Sequence, residues 1–430
     1  MKAAIRIFLI VTLFTFFMAV SANWHFWDKE KPKSIKVLSP ENETWNQPIG
    51  GGRKLVVLID GTWQHPGSAS DTPSQGGVKE NAAMVPSNIV KIAYLLGNGS
   101  NQYDADYANL KQKIYYHSGV ATEVNDKHDA DLEGNFGNIH RHLLDAYAWL
   151  AREYKEGDEI YAFGFSRGAT IVRSLFSFIR YAGLARVDGH ASREALTAEV
   201  LAAFDLYRTR LDSDTHNQEA ITEFHEKHCY NHVYLKFIGV FDTVEALDVP
   251  EGYSDYVDSQ YLTEIATAMG EIEPNDYHDL RIGSHVQHAI PLHPSQTREQ
   301  KWFRGGHADV GGGWWEQGLS DIALDWMIEK ARFAGLEIRD ASDFEKAFSP
   351  FLLGTSPAGY EARKSKIIHD YFANYPNGVS PNGKRVARDL NVYMDPAKYY
   401  KSSFHDSVYK LDYPLPKHVV EYQKNGHAEL

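Results

Sequence analysis

The stretch YAFGFSRGAT, residues 161 to 170, decides the fold, because Gly164, Ser166 and Gly168 form the pattern G-x-S-x-G within it. The run EIYAFGF at 159 to 165 is apolar and aromatic and predicts a buried strand, whereas the residues after the serine have helical periodicity. A serine at such a junction is typical of a nucleophile elbow. The two glycines fit a turn so tight that the strand and helix backbones must approach closely. The alternative is a glycine-flanked turn that carries no chemistry.

Similar apolar runs recur along the chain and alternate with helical patterns. Strands are predicted at 54 to 60, 113 to 119, 159 to 165, 233 to 241 and 300 to 306. The clearest helices are predicted at 138 to 154, 192 to 210 and 321 to 334, the last capped by Ser320 and closed by Gly335. This alternation favours an α/β fold with a mostly parallel central sheet and helices on both faces. Sheets of this kind hold their sites at the carboxyl ends of the strands.

The N-terminus predicts a secretory signal over residues 1 to 22. Lys2 and Arg6 precede an uncharged apolar run that ends in small residues, as a signal peptidase requires. Cleavage after Ala22 is favoured over retention as a membrane anchor, because the run is shorter than the about 20 residues that a membrane span needs. We therefore expect an exported protein, periplasmic or associated with the cell envelope.

The remainder of the chain is predicted to contain one domain. Residues 23 to 52 are polar and interrupted by proline and glycine, which predicts a linker. Residues 53 to 430 are expected to form a single α/β domain, with its core at 53 to 335 and a peripheral C-terminal region at 336 to 430.

Charge and cysteine content exclude several classes of function. The chain has 44 Lys and Arg against 57 Asp and Glu, a formal charge of -13, so it offers no electrostatic footprint for nucleic acid. Its single cysteine, Cys229, excludes an intramolecular disulfide and any C-x-x-C metal or redox motif. The oligomeric state is left open.

A serine nucleophile needs a base and an orienting acid, which follow it in the order Ser, acid, His in this kind of fold. Asp242 follows the apolar run at 237 to 241 and is predicted at the carboxyl end of a strand. His307 follows another strand-like run and is expected in a glycine-rich loop. The rival base is His405 and the rival acid is Asp309.

Backbone N–H groups near the elbow are candidates for stabilising an oxyanion. Arg167 begins the helix after the serine and is predicted to supply one donor. The loop after the first strand, DGTW at 60 to 63, is expected to supply another from Gly61 or Thr62, while Asp60 braces the turn. The Arg167 side chain is expected either to bind a phosphate or carboxylate group or to pair with a neighbouring acid.

Five segments together resemble a known family: LIDGTW at 58 to 63, GDEIYAFGFSRGA at 157 to 169, GVFDTV at 239 to 244, HADVGGGW at 307 to 314 and LSDIALDWM at 319 to 327. The family is the α/β-hydrolase domain of uncharacterised bacterial and fungal proteins to which the first class of type VI secretion lipase effectors belongs. The resemblance covers about residues 53 to 335. It implies an α/β-hydrolase-like fold, hydrolysis of carboxylic esters such as those of phospholipids, and Ser166 as nucleophile, with Asp242 and His307 completing a triad.

The leading hypothesis is therefore a serine hydrolase that cleaves lipid or phospholipid acyl esters through an acyl-enzyme intermediate. It requires no cofactor or metal, and its expected partners are the acyl-ester substrate and, as a further option, a membrane surface.

Two other classes stay open. Metal-assisted phosphoester hydrolysis would use carboxylates and a histidine at strand ends, namely Asp60, Asp242, His307 and Asp309. The histidine cluster at His225, His228 and His232 precedes a strand and does not have the HExxH spacing. The other class is a non-enzymatic binding protein on a hydrolase fold.

Overall fold

A computed structural model describes residues 52–62, 64, 86–96, 106–107, 112–119, 139–187, 191–208, 215–243, 264–270, 297–314, 316–339 and 402–404. The predicted signal, residues 23 to 51 of the predicted linker, most of the predicted C-terminal region and His405 lie outside the described residues. The domain boundaries and the signal therefore stay predictions.

The described strands form one eight-stranded sheet in the order β2-β3-β1-β4-β5-β6-β7-β8. β2 and β3 pair antiparallel, and the other neighbours pair parallel, which confirms the mostly parallel sheet. The strands are β1 Lys54–Ile59, β2 Asp106–Tyr107, β3 Gln112–His117, β4 Glu159–Phe165, β5 Tyr234–Phe241, β6 Glu264–Gly270, β7 Thr297–Phe303 and β8 Ser402–Phe404.

Helices cover both faces of this sheet, as predicted. They are α1 Asn88–Leu96, α2 Ile139–Glu153, α3 Arg167–Ala182, α4 Arg193–Arg208, α5 Thr215–His228, α6 His307–Gly311 and α7 Gly318–Phe333. One apolar core joins α2, α3 and α4 to one face, and a second joins α1 and α7 to the other. Alternate residues of β1 enter the two cores, Val57 in the first and Val56 and Leu58 in the second, which explains its unbroken apolar run.

The helix predicted at 321 to 334 begins earlier than expected, and its predicted cap was wrong. Gln317 occupies the N-cap position, and the Ser320 hydroxyl donates to the Gln317 carbonyl at 3.0 Å instead of capping a helix end. The buried Leu319 lies in the first turn and extends the apolar face of the helix toward its start. Gly335 has φ +99° just beyond the helix, as predicted.

The carboxyl ends of β1, β4 and β5 lie at the same edge of the sheet. Ile59 of β1 pairs with Gly164 of β4, and Phe165 of β4 pairs with Phe241 of β5. The residues that come directly after these three strands are Asp60, Ser166 and Asp242. Parallel pairing therefore brings three sequence-predicted residues to the same edge.

The junction of β4 and α3 leaves no room for side chains at its glycines. A Cβ added to Gly164 would stand 2.5 Å from the Gly168 carbonyl oxygen. A Cβ added to Gly168 would stand 2.3 Å from the Ile59 carbonyl oxygen and 2.4 Å from that of Asp60. These neighbours are backbone atoms, so α3 approaches both its own strand and β1 as closely as glycine allows.

We predict that Gly168→Ala lowers the free energy of unfolding by about 2 kcal/mol or more, because the added methyl group must displace the backbone of β1. Urea denaturation followed by circular dichroism measures this change. Gly157→Ala is the control, since its added Cβ meets no atom within 4 Å and only the strain of φ +90° remains. The control should lose about 1 kcal/mol, and equal losses in the two variants would contradict the close approach.

Candidate active site

Ser166 stands between β4 and α3 in a strained backbone conformation. Its φ of +57° and ψ of −126° lie in a region that non-glycine residues avoid. Its N–H donates to the Phe241 carbonyl at 3.1 Å, and its own carbonyl accepts from the Ala169 N–H at 3.1 Å. These bonds to β5 and to the first turn of α3 fix the strained turn. The geometry is that of a nucleophile elbow.

Asp242 and His307 are in direct contact at the same edge of the sheet. His307 Nδ1 lies 2.7 Å from Asp242 Oδ2, and the carboxylate is fully buried. Asp242 has φ +44°, a second positive value for a non-glycine residue in the described chain. With the Nδ1 proton donated to the carboxylate, Nε2 carries the lone pair that a general base needs.

His307 begins the short helix α6, so the expectation that it lies in a glycine-rich loop was wrong. The reason is a local cap: the Gly306 N–H donates to Asp309 Oδ2 at 2.9 Å and closes the first turn. Asp309, the rival acid, is therefore engaged in capping α6, while Asp242 contacts the imidazole.

Phe165 is a site residue that the sequence analysis did not single out. Its ring lies 4.7 Å from the His307 ring, centroid to centroid. A Cβ added to Gly61 would stand 2.6 Å from this ring, and one added to Gly311 would stand 2.0 Å from it. The residue just before Ser166 thus packs between α6 and the loop of residues 60–62, called the DGT loop below. Its place before the elbow serine was the only available signal.

The Gly61 N–H, one of the two oxyanion donors predicted in the DGT loop, has a different role. The Gly61 N–H donates to Asp60 Oδ1 at 2.8 Å, so it is committed to that carboxylate and is not available to an oxyanion. The cause is the burial of Asp60, whose charge must be satisfied by nearby donors. The backbone N–H of Thr62 is then the candidate that the loop offers.

Arg167 connects this loop to the elbow. Its Nε donates to Thr62 Oγ1 at 2.5 Å, which joins the first residue of α3 to the DGT loop. Burial lowers the pKa of Arg167 to about 10, so the guanidinium still carries its charge at neutral pH. The backbone N–H of Arg167 belongs to the positive end of the α3 dipole.

The described residues contain no group of three or more His, Cys, Asp or Glu side chains placed to hold a metal ion. His225 Nε2 contacts the Tyr181 carbonyl at 3.1 Å, and His228 pairs with Glu199. Burial raises the pKa of the Cys229 thiol to about 12.

Among the helices of the described ranges, none combines the length and the apolar character that a membrane span requires.

Comparisons with known proteins point to one family. Residues 53–330 match the family model described as "T6SS, Phospholipase effector Tle1-like, catalytic domain". A protein of Saccharomyces cerevisiae, "Uncharacterized protein YEL023C", is 28% identical over 218 residues, which are 46% of this chain and 27% of the yeast protein.

Two solved structures are similar at 15% identity. One is "Crystal structure of an uncharacterized protein from Pseudomonas aeruginosa", with a TM-score of 0.37, covering 73% of this chain and 49% of the other. The second is "Structure of the Tle1 effector bound to the VgrG spike from the Type 6 secretion system", with a TM-score of 0.29, covering 62% and 52%. The chain thus spans about a quarter of the yeast relative and about half of each solved chain.

We predict that Asp242→Asn slows the reaction of Ser166 with a fluorophosphonate probe by about 10³-fold or more, because the amide no longer holds the imidazole in its basic tautomer. Mass spectrometry of the intact protein over time measures the rate. Asp309→Asn is the matched control and should slow the labelling by less than about tenfold, since the Asp309 carboxylate caps α6. The opposite ranking would make Asp309 the orienting acid.

Proposed function

The chain belongs to the family of Tle1-like catalytic domains of type VI secretion phospholipase effectors, and from this premise we propose that it is a serine hydrolase of lipid acyl esters. Ser166 is the nucleophile, His307 the general base and Asp242 the orienting acid. Family membership supports hydrolysis of lipid esters in general. The assignment of residues is supported by the geometry of the site.

The observation that carries the proposal is the contact of His307 Nδ1 with Asp242 Oδ2 at 2.7 Å, beside a serine held at φ +57°. Neither feature is needed to complete the sheet. A buried carboxylate paired with a histidine, next to a strained serine at the edge where three strands end, is the arrangement that activates a hydroxyl.

The first half of the reaction forms the acyl-enzyme. Ser166 Oγ attacks the carbonyl carbon of the ester while its proton passes to His307 Nε2. The imidazolium that results is stabilised by the Asp242 carboxylate. Collapse of the tetrahedral intermediate breaks the bond to the alcohol oxygen, and His307 returns its proton to that leaving group.

The second half restores the enzyme. Water gives a proton to His307 Nε2 as its oxygen attacks the acyl carbon, and the ester bond to Ser166 then breaks. Ser166 Oγ recovers the proton and the carboxylic acid leaves. The same base and acid thus serve both halves.

The negative charge on the carbonyl oxygen needs donors that are already in place. The backbone N–H of Arg167 is one, because it lies at the start of α3 directly after the nucleophile. The backbone N–H of Thr62 is the other, since the Arg167 side chain holds Thr62 beside the elbow. The Arg167 guanidinium adds positive charge near an anionic headgroup.

Export forms part of the proposal. Its basis is the sequence of residues 1 to 22, and it places the hydrolase in the periplasm or at the cell envelope, where lipid substrate is at hand.

We predict that Ser166→Ala reduces turnover of a short-chain p-nitrophenyl ester by at least about 10³-fold while leaving the melting temperature within about 3 °C. Ser177→Ala is the control, because it removes the hydroxyl of a buried serine within α3. Full activity in Ser166→Ala would remove the proposal. If EDTA then abolished the activity of Ser166→Ala, metal-assisted phosphoester hydrolysis would be the better account. If the wild type showed neither turnover nor labelling by the probe, the non-enzymatic binding protein would be the better account.

We also predict that the full chain, expressed in a bacterium with a periplasm, is recovered from the periplasmic fraction with Asn23 as its first residue. N-terminal sequencing of the purified protein measures this. Deletion of residues 1 to 22 should retain the protein in the cytoplasm. An intact N-terminus in the membrane fraction would favour an anchor, and an intact N-terminus in the cytoplasm would contradict export.

A further inference from the structure

Asp60 is a fully buried carboxylate that lies directly after β1. Its Oδ1 accepts from the Gly61 N–H at 2.8 Å. Its Oδ2 accepts from Ser87 Oγ at 2.8 Å and from Tyr116 Oη at 2.7 Å. These donors come from three separate segments of the chain, so one carboxylate joins β3, the DGT loop and the start of α1.

In one direction Asp60 fixes the loop that carries Thr62. The Gly61 N–H is held by its hydrogen bond to Asp60. The Gly61 carbonyl accepts from the Gln64 N–H at 2.9 Å. Gly119 packs so closely that a Cβ there would stand 1.5 Å from the Gly61 carbonyl oxygen. The peptide plane between Gly61 and Thr62 is therefore fixed, and with it the direction of the Thr62 N–H.

In the other direction Asp60 reaches the helix that carries His307. Ser87, whose hydroxyl it binds, forms a β-bridge with Gly312, the residue directly after α6. The next residue, Asn88, is buried, and its Nδ2 donates to the Val310 carbonyl of α6 at 2.8 Å and to the Ser320 carbonyl of α7 at 2.9 Å. The start of α1 thus holds α6 in place.

We propose that Asp60 is a positioning residue for the hydrolysis proposed above: a single buried carboxylate sets both the Thr62 oxyanion donor and, through Ser87 and Asn88, the helix that presents His307. This inference rests on the serine hydrolase function. Asp60 touches no reacting atom. It acts by keeping the Thr62 N–H and His307 aligned with Ser166. Small displacements of these groups lower the rate of the reaction most strongly.

The test must separate positioning from simple stabilisation, and Asp158 provides a matched control. Asp158 is also a buried carboxylate with several donors, the Arg53 side chain at 2.7 Å, the Arg53 N–H at 2.9 Å and the Lys155 N–H at 2.9 Å. It directly precedes β4, at the edge of the sheet opposite the site. Loss of its charge affects stability without reaching the catalytic groups.

The experiment compares Asp60→Asn with Asp158→Asn in the full chain. It measures kcat and KM for a short-chain p-nitrophenyl ester and the rate at which a fluorophosphonate labels Ser166, each per folded molecule. We expect Asp60→Asn to lower kcat and the labelling rate by about 10- to 100-fold with KM changed by less than about threefold. Asp158→Asn should lower the melting temperature and keep kcat within about twofold.

Two milder variants cover the case in which Asp60→Asn does not fold. Tyr116→Phe and Ser87→Ala each remove one donor to Asp60 Oδ2, and each should lower kcat by about two- to tenfold. Because both hydroxyls donate to the same carboxylate oxygen, the loss of kcat in the double variant should differ from the product of the two single losses.

Values of kcat for Asp60→Asn, Tyr116→Phe and Ser87→Ala equal to that of Asp158→Asn would overturn the inference while leaving the hydrolase function intact. A wild-type protein that the probe does not label at Ser166 would instead overturn the hydrolase function, and the role of Asp60 with it.

Discussion

The backbone of Ser166 is the constraint on which the rest of the site depends. A φ of +57° with ψ of −126° costs an L-residue about 1 to 3 kcal/mol, so the surrounding structure must impose it. The hydrogen bond to Phe241 and the close contacts of Gly164 and Gly168 do so. Because α3 can start only where its backbone contacts β1 and β4, Ser166 must occupy the tight turn between β4 and α3.

Parallel pairing then determines what surrounds the serine. β1, β4 and β5 end at the same edge, which places Asp60 and Asp242 on either side of Ser166. The two carboxylates have different tasks because their neighbours differ. Asp242 contacts an imidazole at 2.7 Å and orients it, whereas Asp60 accepts from the Gly61 N–H and from the hydroxyls of Ser87 and Tyr116 and joins three segments of the chain. Phe165 packs between the DGT loop and α6.

Much of this arrangement could be predicted from the sequence because it depends on local patterns. The glycines around Ser166 and the apolar run before Asp242 act over a few residues, and both were interpreted correctly as strand ends. The contacts of Ser87 and Asn88 with Gly312 and Val310 could not be predicted, because the partners are distant in sequence and no pattern joins them. The bond of the Gly61 N–H to Asp60 could not be predicted for a different reason, because it depends on how deeply Asp60 is buried.

A crystal structure of the protein after reaction with a fluorophosphonate would test the account most directly. It should show phosphorus bonded to Ser166 Oγ, with one phosphonyl oxygen about 3 Å from the backbone nitrogens of Thr62 and Arg167 and with His307 Nε2 facing the serine oxygen. An adduct on another residue, or a phosphonyl oxygen that points away from both nitrogens, would contradict it.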